Sequence, residues 1–206
     1  MSLRGKRILI TAGPTWVGID NIRVISNIAT GVTGLLLARQ AANQGARVTL
    51  VLGQCGQFNP KESIRIIPFC FFNQLKNILK RELQNAKCDI IIHSAAVSDF
   101  KPEYKISGKL SSQRAHTLKL LPLEKLIILI RRLQPKAKLV MFKLESNVQN
   151  QTLIQRAKRA GEEFGADLIV ANRLNPYRAF IIDRQDNRIL AKSKKDLVKK
   201  LIKILN

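Results

Sequence analysis

Cysteine, acidic side chains and aromatics are all scarce in this 206-residue sequence, and each scarcity excludes something. Cys55, Cys70 and Cys88 are odd in number and far apart, which rules out a disulfide framework and a paired-cysteine zinc site and leaves buried or incidental thiols. The two histidines, His93 in an apolar run and His116 before another, have no partners at metal-ligand spacing, so each reads as a core or surface histidine. Only 14 acidic residues face 36 lysines and arginines, a formal charge of +22 that attracts polyanions: nucleotides, phosphorylated metabolites, nucleic acid or an anionic membrane. One Trp, two Tyr and eight Phe, not interleaved with the basic residues, give a nucleic-acid-binding module little to stack bases on. The longest apolar runs, Ile8 to Ala12 and Asp89 to Ala96, are strand-length, well short of the roughly 18 residues of a membrane span. Met1 to Lys6 leads straight into such a run without an apolar leader, which predicts a cytoplasmic protein with no membrane partner.

Familiar catalytic signatures are missing too. No Walker A sequence and no serine or cysteine nucleophile elbow occurs, so any catalysis rests on positioning and electrostatics. The dinucleotide fingerprint needs three glycines in the first turn, whereas Gly13, Gly31 and Gly34 are spread over a long insertion. A Rossmann-like NAD(P)-dependent oxidoreductase is therefore the weaker alternative.

Present instead is a regular alternation of patterns in a chain that is 46% apolar, enough for one core and one domain over residues 1–206. Strand-like runs at Lys6–Ala12, Arg47–Leu52, Cys88–Ser94, Lys138–Lys143 and Asp167–Ala171 are separated by helical periodicity at Val32–Gln44, Asn73–Gln84, Glu124–Leu133 and Thr152–Phe164. That order predicts an α/β fold: a Rossmann-like, doubly wound, mostly parallel sheet with right-handed crossovers. Ala179–Asp183 and Arg188–Ala191, around Gln185–Asn187, predict an antiparallel C-terminal hairpin at the sheet edge. In the final helix, from Ser193, the stripe Leu197, Val198, Leu201, Ile202 and Leu205 favours packing on the sheet over binding a membrane or nucleic acid.

Gly13–Ala29 and Val97–Ala115 fit no regular element, and both follow strand ends, where open parallel sheets bind ligands. Glycines around the start of the first helix, Gly31 and Gly34, let backbone N–H groups approach an anion, or let helix and strand pack closely. Asp99 stands at a strand end where a carboxylate can accept hydrogen bonds from a sugar hydroxyl or nucleobase amine, and otherwise serves as a cap. Lys101, Lys105 and Lys109 follow in a basic loop able to close on phosphates.

Ile8-Leu9-Ile10-Thr11-Ala12-Gly13-Pro14-Thr15, then Ile19-Asp20, Val24-Ile25-Ser26-Asn27 and Thr30-Gly31, resembles the opening of phosphopantothenate-cysteine ligases, including the ligase half of the bifunctional flavoprotein. Gly45 to Val51, Ala95-Ala96-Val97-Ser98-Asp99-Phe100, Phe142-Lys143-Leu144-Glu145 and Asp167 to Asn172 continue the likeness in the same order over nearly the whole chain. The resemblance implies a ligase joining 4′-phosphopantothenate to cysteine through an acyl-nucleotidylate, with CTP or ATP as nucleotide, Mg²⁺ accompanying the triphosphate and no flavin in this chain. It implies Asn27, Arg23 and Lys105 as catalytic residues. Gly13, Pro14, Thr15, Ala95, Ala96, Asp99, Lys109 and Phe142 are implied as nucleotide-binding, and Ser26, Gly31 and Asn172 as substrate-binding, with no protein metal ligand. It further implies a homodimer in which a loop of one subunit helps complete its neighbour's site, a chain that is either a stand-alone ligase or an excised domain, and a separate flavin-dependent decarboxylase as a candidate partner. Departures are Val32 where many bacterial relatives have Lys, Pro122-Leu123-Glu124 for Pro-Thr-Pro, Ala160 and Phe164 where CTP users often carry lysines, and Arg173 for aspartate.

Overall fold

The computed structural model describes residues 2–54 and 64–206. Along the chain run β1 (Arg7–Ala12), β2 (Trp16–Gly18), β3 (Val24–Ser26), α1 (Val32–Asn43), β4 (Arg47–Leu52), β5 (Ile64–Pro68), α2 (Phe72–Asn85), β6 (Ile90–His93), β7 (Phe100–Pro102) and β8 (Leu120–Pro122). They continue with α3 (Leu126–Leu133), β9 (Lys138–Leu144), α4 (Asn150–Phe164), β10 (Leu168–Arg173), β11 (Arg178–Asp183), β12 (Arg188–Ala191) and α5 (Lys194–Leu205).

Eight strands form one sheet in the order β12-β11-β10-β9-β6-β1-β4-β5, parallel from β5 to β10 and antiparallel over β10-β11-β12. The expected doubly wound sheet with an antiparallel C-terminal hairpin is thus present. Buried on both faces, the central strands are near-continuous Ile, Leu and Val runs. On one face Ile8, Ile10, Leu50, Ile92 and Val140 pack with Leu37 and Ala38 of α1 and with Leu197, Leu201 and Ile202 of α5, so the last helix's apolar stripe is core. On the other, Leu9, Ile91, Leu139 and Ile169 pack with Leu75 and Leu79 of α2, Leu126 and Ile130 of α3, and Leu153 and Ala157 of α4.

Three elements were not legible in the sequence. Pairing with β4 makes Ile64–Pro68 a strand, although its short run reads weakly alone. Of the stretches expected to be irregular, Gly13–Ala29 contains the ribbon β2-β3 and Val97–Ala115 contains β7, which pairs with β8 just beyond it; both ribbons are too short to give a period-2 signal. Cys55 falls outside the described residues; Cys70 and Cys88 are free thiols, and burial pushes Cys88 up to about 11. Among the described residues, no helix is long and apolar enough to cross a membrane.

Helix ends match their local sequences. Ser193 Oγ accepts the Asp196 N–H while Asp196 Oδ2 accepts the Lys192 N–H, a reciprocal cap that starts α5. Gly165, at φ 64°, ends α4, with the Ala166 N–H returning to Gly161 O. Gly34 serves packing rather than a turn: a Cβ there would overlap the Ala12 Cβ and stand 2.9 Å from Ser94 Oγ, so only glycine lets α1 lie this close to β1. Gly34→Ala gains helix propensity of about 1 kcal/mol, but Ala12 sits on a central strand that cannot give way. Overpacking is expected to prevail, with a net loss of about 1–3 kcal/mol measured by urea denaturation.

Candidate functional site

β1 lies between β4 and β6 in the sheet, and the chain leaves it toward β4 and β5 before returning to build β6, β9 and β10 on the other side. At that reversal the loops after β1 and β6 diverge and open a cleft at the carboxyl ends of the strands. The cleft has a volume of about 950 Å³ and is walled by the start of α1, the segment after β6, the start of α3, the end of β9 and one side of α4.

Its rim is built from backbone and small side chains. Gly13, at φ 83°, turns the chain out of β1 against the backbone of Gly53. The Ala96 N–H donates to Gly13 O at 2.9 Å, carrying parallel pairing one step past the ends of β1 and β6. Below the rim, the buried Thr15 and Ser98 side chains lie 2.9 Å apart, and Thr15 Oγ1 accepts the Ser98 N–H at 2.8 Å. Across it, Asn27 Nδ2 donates to the carbonyls of Ala96 at 3.2 Å and Val97 at 3.1 Å. One asparagine therefore ties the loop before α1 to the loop after β6. Gly31, at φ 66°, is the N-cap of α1 and offers its backbone without a side-chain cap.

Eight residues expected at the site, Gly13, Asn27, Gly31, Ala95, Ala96, Asp99, Phe142 and Asn172, line this one cleft. Six do not. Pro14 and Thr15 are buried beneath the rim, and Ser26 turns its hydroxyl back to Thr15 O at 3.1 Å. Arg23, Lys105 and Lys109 belong to a separate assembly at the β2-β3 tip, organised by Asp20. Its carboxylate is 3% exposed and accepts N–H groups from Leu110 at 3.0 Å, Ile22 at 2.7 Å and Arg23 at 2.6 Å, as well as the Arg23 guanidinium at 2.6 Å. The Leu110 N–H, helped by those of Ile22 and Arg23 and by the guanidinium and opposed by burial, holds Asp20 well below the usual carboxylate range. The Ile106 N–H donates to Ile19 O, and Lys105 packs its stem near Gly18. The basic loop is thus clamped to the ribbon and does not line the cleft of its own chain.

Other cleft groups were not expected at the site: His93 and Lys143, which adjoin or belong to the quoted motifs, and Lys125, Arg156, Arg159, Tyr177 and Lys194, which segments distant in the chain deliver. Lys125 pairs with Asp99 at 2.5 Å. Glu145 binds Arg156 at 2.7 Å and Lys143 at 3.3 Å. Burial pushes the Glu145 carboxyl up, but those two cations more than offset it and leave it below its ordinary value. Among the described residues, Arg159 and Lys194 have no carboxylate partner, which leaves two cations facing the cleft for an anionic ligand. No group of three His, Cys, Asp or Glu able to hold a metal occurs among the described residues.

A doubly wound, mostly parallel α/β domain with a cleft at its topological switch point, glycine-rich at a helix start and edged by a carboxylate, defines the class of Rossmann-like α/β proteins. Residues 3–204 match the DNA/pantothenate metabolism flavoprotein C-terminal domain, and the chain belongs to that family. It is 36% identical over 176 residues to the Coenzyme A biosynthesis bifunctional protein CoaBC of Thermococcus kodakarensis, covering 85% of this chain and 43% of that protein. The chain spans about half the length of the relatives of this kind that it matches. A crystal structure of the C-terminal domain of such a bifunctional protein superposes with a TM-score of 0.81 at 26% identity, covering 98% of this chain and 94% of that one. The DNA/pantothenate metabolism flavoprotein of Streptococcus pneumoniae shares the fold at a TM-score of 0.87 and 23% identity, covering 98% of each chain.

Asp20 is the joint of the ribbon assembly. Asp20→Asn is expected to weaken its grip on the Leu110 amide and speed hydrogen exchange there and at Ile22 by ten-fold or more while the central strands stay protected, about 1.4 kcal/mol of local opening. Because its carboxyl is depressed, its contribution to stability is complete above the ordinary carboxylate range and is lost only as the pH falls below it.

Proposed function

We propose that the chain is the ligase unit that joins 4′-phosphopantothenate to cysteine with a nucleoside triphosphate, CTP or ATP, in coenzyme A synthesis. Family membership supports the reading, and one observation carries it: Asn27 and Asp99 stand on one cleft, with the Asn27 amide fixed across the gap between the two loops that form its mouth. A carboxylate is a poor acyl donor, so amide synthesis needs an activated intermediate whose acyl and nucleotide halves lie on either side of one phosphate. A cleft at the switch point, bounded by the glycine-rich start of α1 and by the segment after β6, suits such a bipartite ligand.

In the first step a carboxylate oxygen of phosphopantothenate attacks the α-phosphorus. An O–P bond forms, the bond to the β-phosphate bridging oxygen breaks, and pyrophosphate leaves with that electron pair. In the second step the cysteine amine attacks the acyl carbon, a C–N bond forms, the C–O bond to phosphate breaks, the amine gives up a proton and nucleoside monophosphate departs. Asn27 stands at the junction of the two halves, and by releasing the Ala96 or Val97 carbonyl that its amide holds in the free chain it can donate an N–H to the acyl oxygen as charge develops there. Gly13, Ala95 and Ala96 leave backbone room for the nucleotide, Asp99 accepts from its sugar or base, Phe142 gives it an apolar surface, and Gly31 and Asn172 face the acyl side. Arg159 and Lys194 supply positive charge for phosphates. Mg²⁺ would arrive with the triphosphate and offset its charge.

Arg23, Lys105 and Lys109 act, in this reading, in a homodimer. Ile22, Val24, Phe100, Tyr104 and Leu120 expose apolar surface on the two ribbons beside the basic loop, a surface suited to a second copy that would receive the lysines into its own cleft.

Incubation with 4′-phosphopantothenate, cysteine, Mg²⁺ and either CTP or ATP is expected to release pyrophosphate; release with neither triphosphate rejects the function. Asn27→Ala should slow amide formation at least ten-fold more than nucleotidyl transfer, and Lys105→Ala should slow pyrophosphate release; equal loss in both half-reactions of Asn27→Ala contradicts its role, about 1.4 kcal/mol being the margin. Sedimentation should show a dimer that Tyr104→Glu converts to monomer, and mixing Asn27→Ala with Lys105→Ala should give more activity than either variant alone, through hybrid sites.

A further inference from the structure

His93 lines the cleft, yet none of the steps above uses it. It ends β6 in register with Thr11 of β1 and Met141 of β9, on the sheet face that Leu9, Ile91 and Met141 share with α3 and α4. Its Nδ1 lies 2.8 Å from Thr11 Oγ1, and the same Oγ1 accepts the Ala95 N–H at 3.2 Å. Thr11 is wholly buried and has a single hydroxyl proton. Were Nδ1 protonated and donating, that buried hydroxyl proton would have no acceptor among the described residues, so it points at Nδ1, which makes Nδ1 the acceptor and places the ring proton on Nε2. Nε2 itself has no partner among the described residues and is not sealed from solvent, and the cleft is the space that His93 lines. Burial lowers the ring's pKa to about 4, so at neutral pH the group presented is an uncharged N–H.

We propose that His93 is a specificity-determining residue: a neutral Nε2–H donor, fixed in tautomer by Thr11, that recognises an uncharged acceptor of the bound ligand, a carbonyl oxygen or ring nitrogen. Ala95, Ile127 and Met141 line the cleft with it, and apolar neighbours of this kind favour a neutral acceptor over a charged oxygen, whose desolvation they would not offset. Two parts of the proposed ligands carry such an acceptor, the nucleobase and the amide of the pantothenoyl chain. The inference rests on the function proposed above for this cleft.

Nitrogen-15 spectroscopy of the histidine rings tests it directly. In the free protein His93 should be the Nε2–H tautomer, and its Nε2–H resonance should shift when the protein is saturated with one of two ligands. A shift with Mg²⁺–CTP alone assigns the contact to the base, and a shift with 4′-phosphopantothenate alone assigns it to the chain amide. His93→Met should raise the KM of that ligand about 2- to 12-fold, the worth of one neutral hydrogen bond, with kcat nearly unchanged. His93→Gln, which keeps an N–H donor, should recover much of the loss. An Nδ1–H tautomer, binding of both ligands without any change at His93, or a fall in kcat at constant KM overturns the assignment. If the wild-type protein binds neither ligand, the proposed function falls and this inference with it, whereas binding with a silent His93 removes the inference alone.

Discussion

β1 and β6 pair in parallel from Ile8 opposite Ile90 to Thr11 opposite His93, the Ala96 N–H to Gly13 O bond carries the pairing one step further, and beyond it the two segments part. Everything that gives the cleft its chemistry follows from that divergence. The core strands up to that line are apolar and covered on both faces by helices, so the polar side chains of β1 and β6 are confined to their ends. Thr11, His93, Thr15 and Ser98 are among the first polar groups after the core, and each finds a partner on the neighbouring chain. Buried polar groups demand such partners. That demand holds the two loops together for a short distance before the cleft opens between them.

Within the cleft mouth, small residues do structural work that larger ones could not. Gly34 lets α1 approach β1, Gly13 lets the chain turn against Gly53, and Ala95 and Ala96 keep the opposite rim low. Asn27 then spans the gap with its amide. The same side chain thus joins two loops and, in the proposed function, meets the acyl phosphate, which would make the rigidity of the mouth and its chemistry a single property.

Electrostatics divide the molecule differently from its overall charge. The chain as a whole carries +22, but in the cleft Lys125, Lys143 and Arg156 are held by Asp99 and Glu145, and among the described residues Arg159 and Lys194 are the cleft cations left for a ligand. In the ribbon assembly the order is reversed: a single buried carboxylate, Asp20, gathers Arg23 and the Leu110 end of the basic loop. A carboxylate so well supplied with donors stays ionised, and it fixes where the lysines of that loop begin.

Periodicity and composition determined the alternation of strands and helices, the parallel order, the C-terminal hairpin and the burial of the last helix, because strands covered on both faces and amphipathic helices write their environment into consecutive residues. The ordered motifs from Ile8 to Asn172 likewise identified the family. Ile64–Pro68 became a strand only by pairing with β4, and the two ribbons are too short to carry a pattern. Tertiary structure alone decided that Asn27 and Asp99 share a cleft while Arg23, Lys105 and Lys109 gather at another place on the same chain. It also turned His93, an apolar-strand histidine in the sequence, into an uncharged donor, since its tautomer depends on Thr11, a residue 82 positions away. Contacts of that range depend on sheet order, and sheet order is a property of the folded chain.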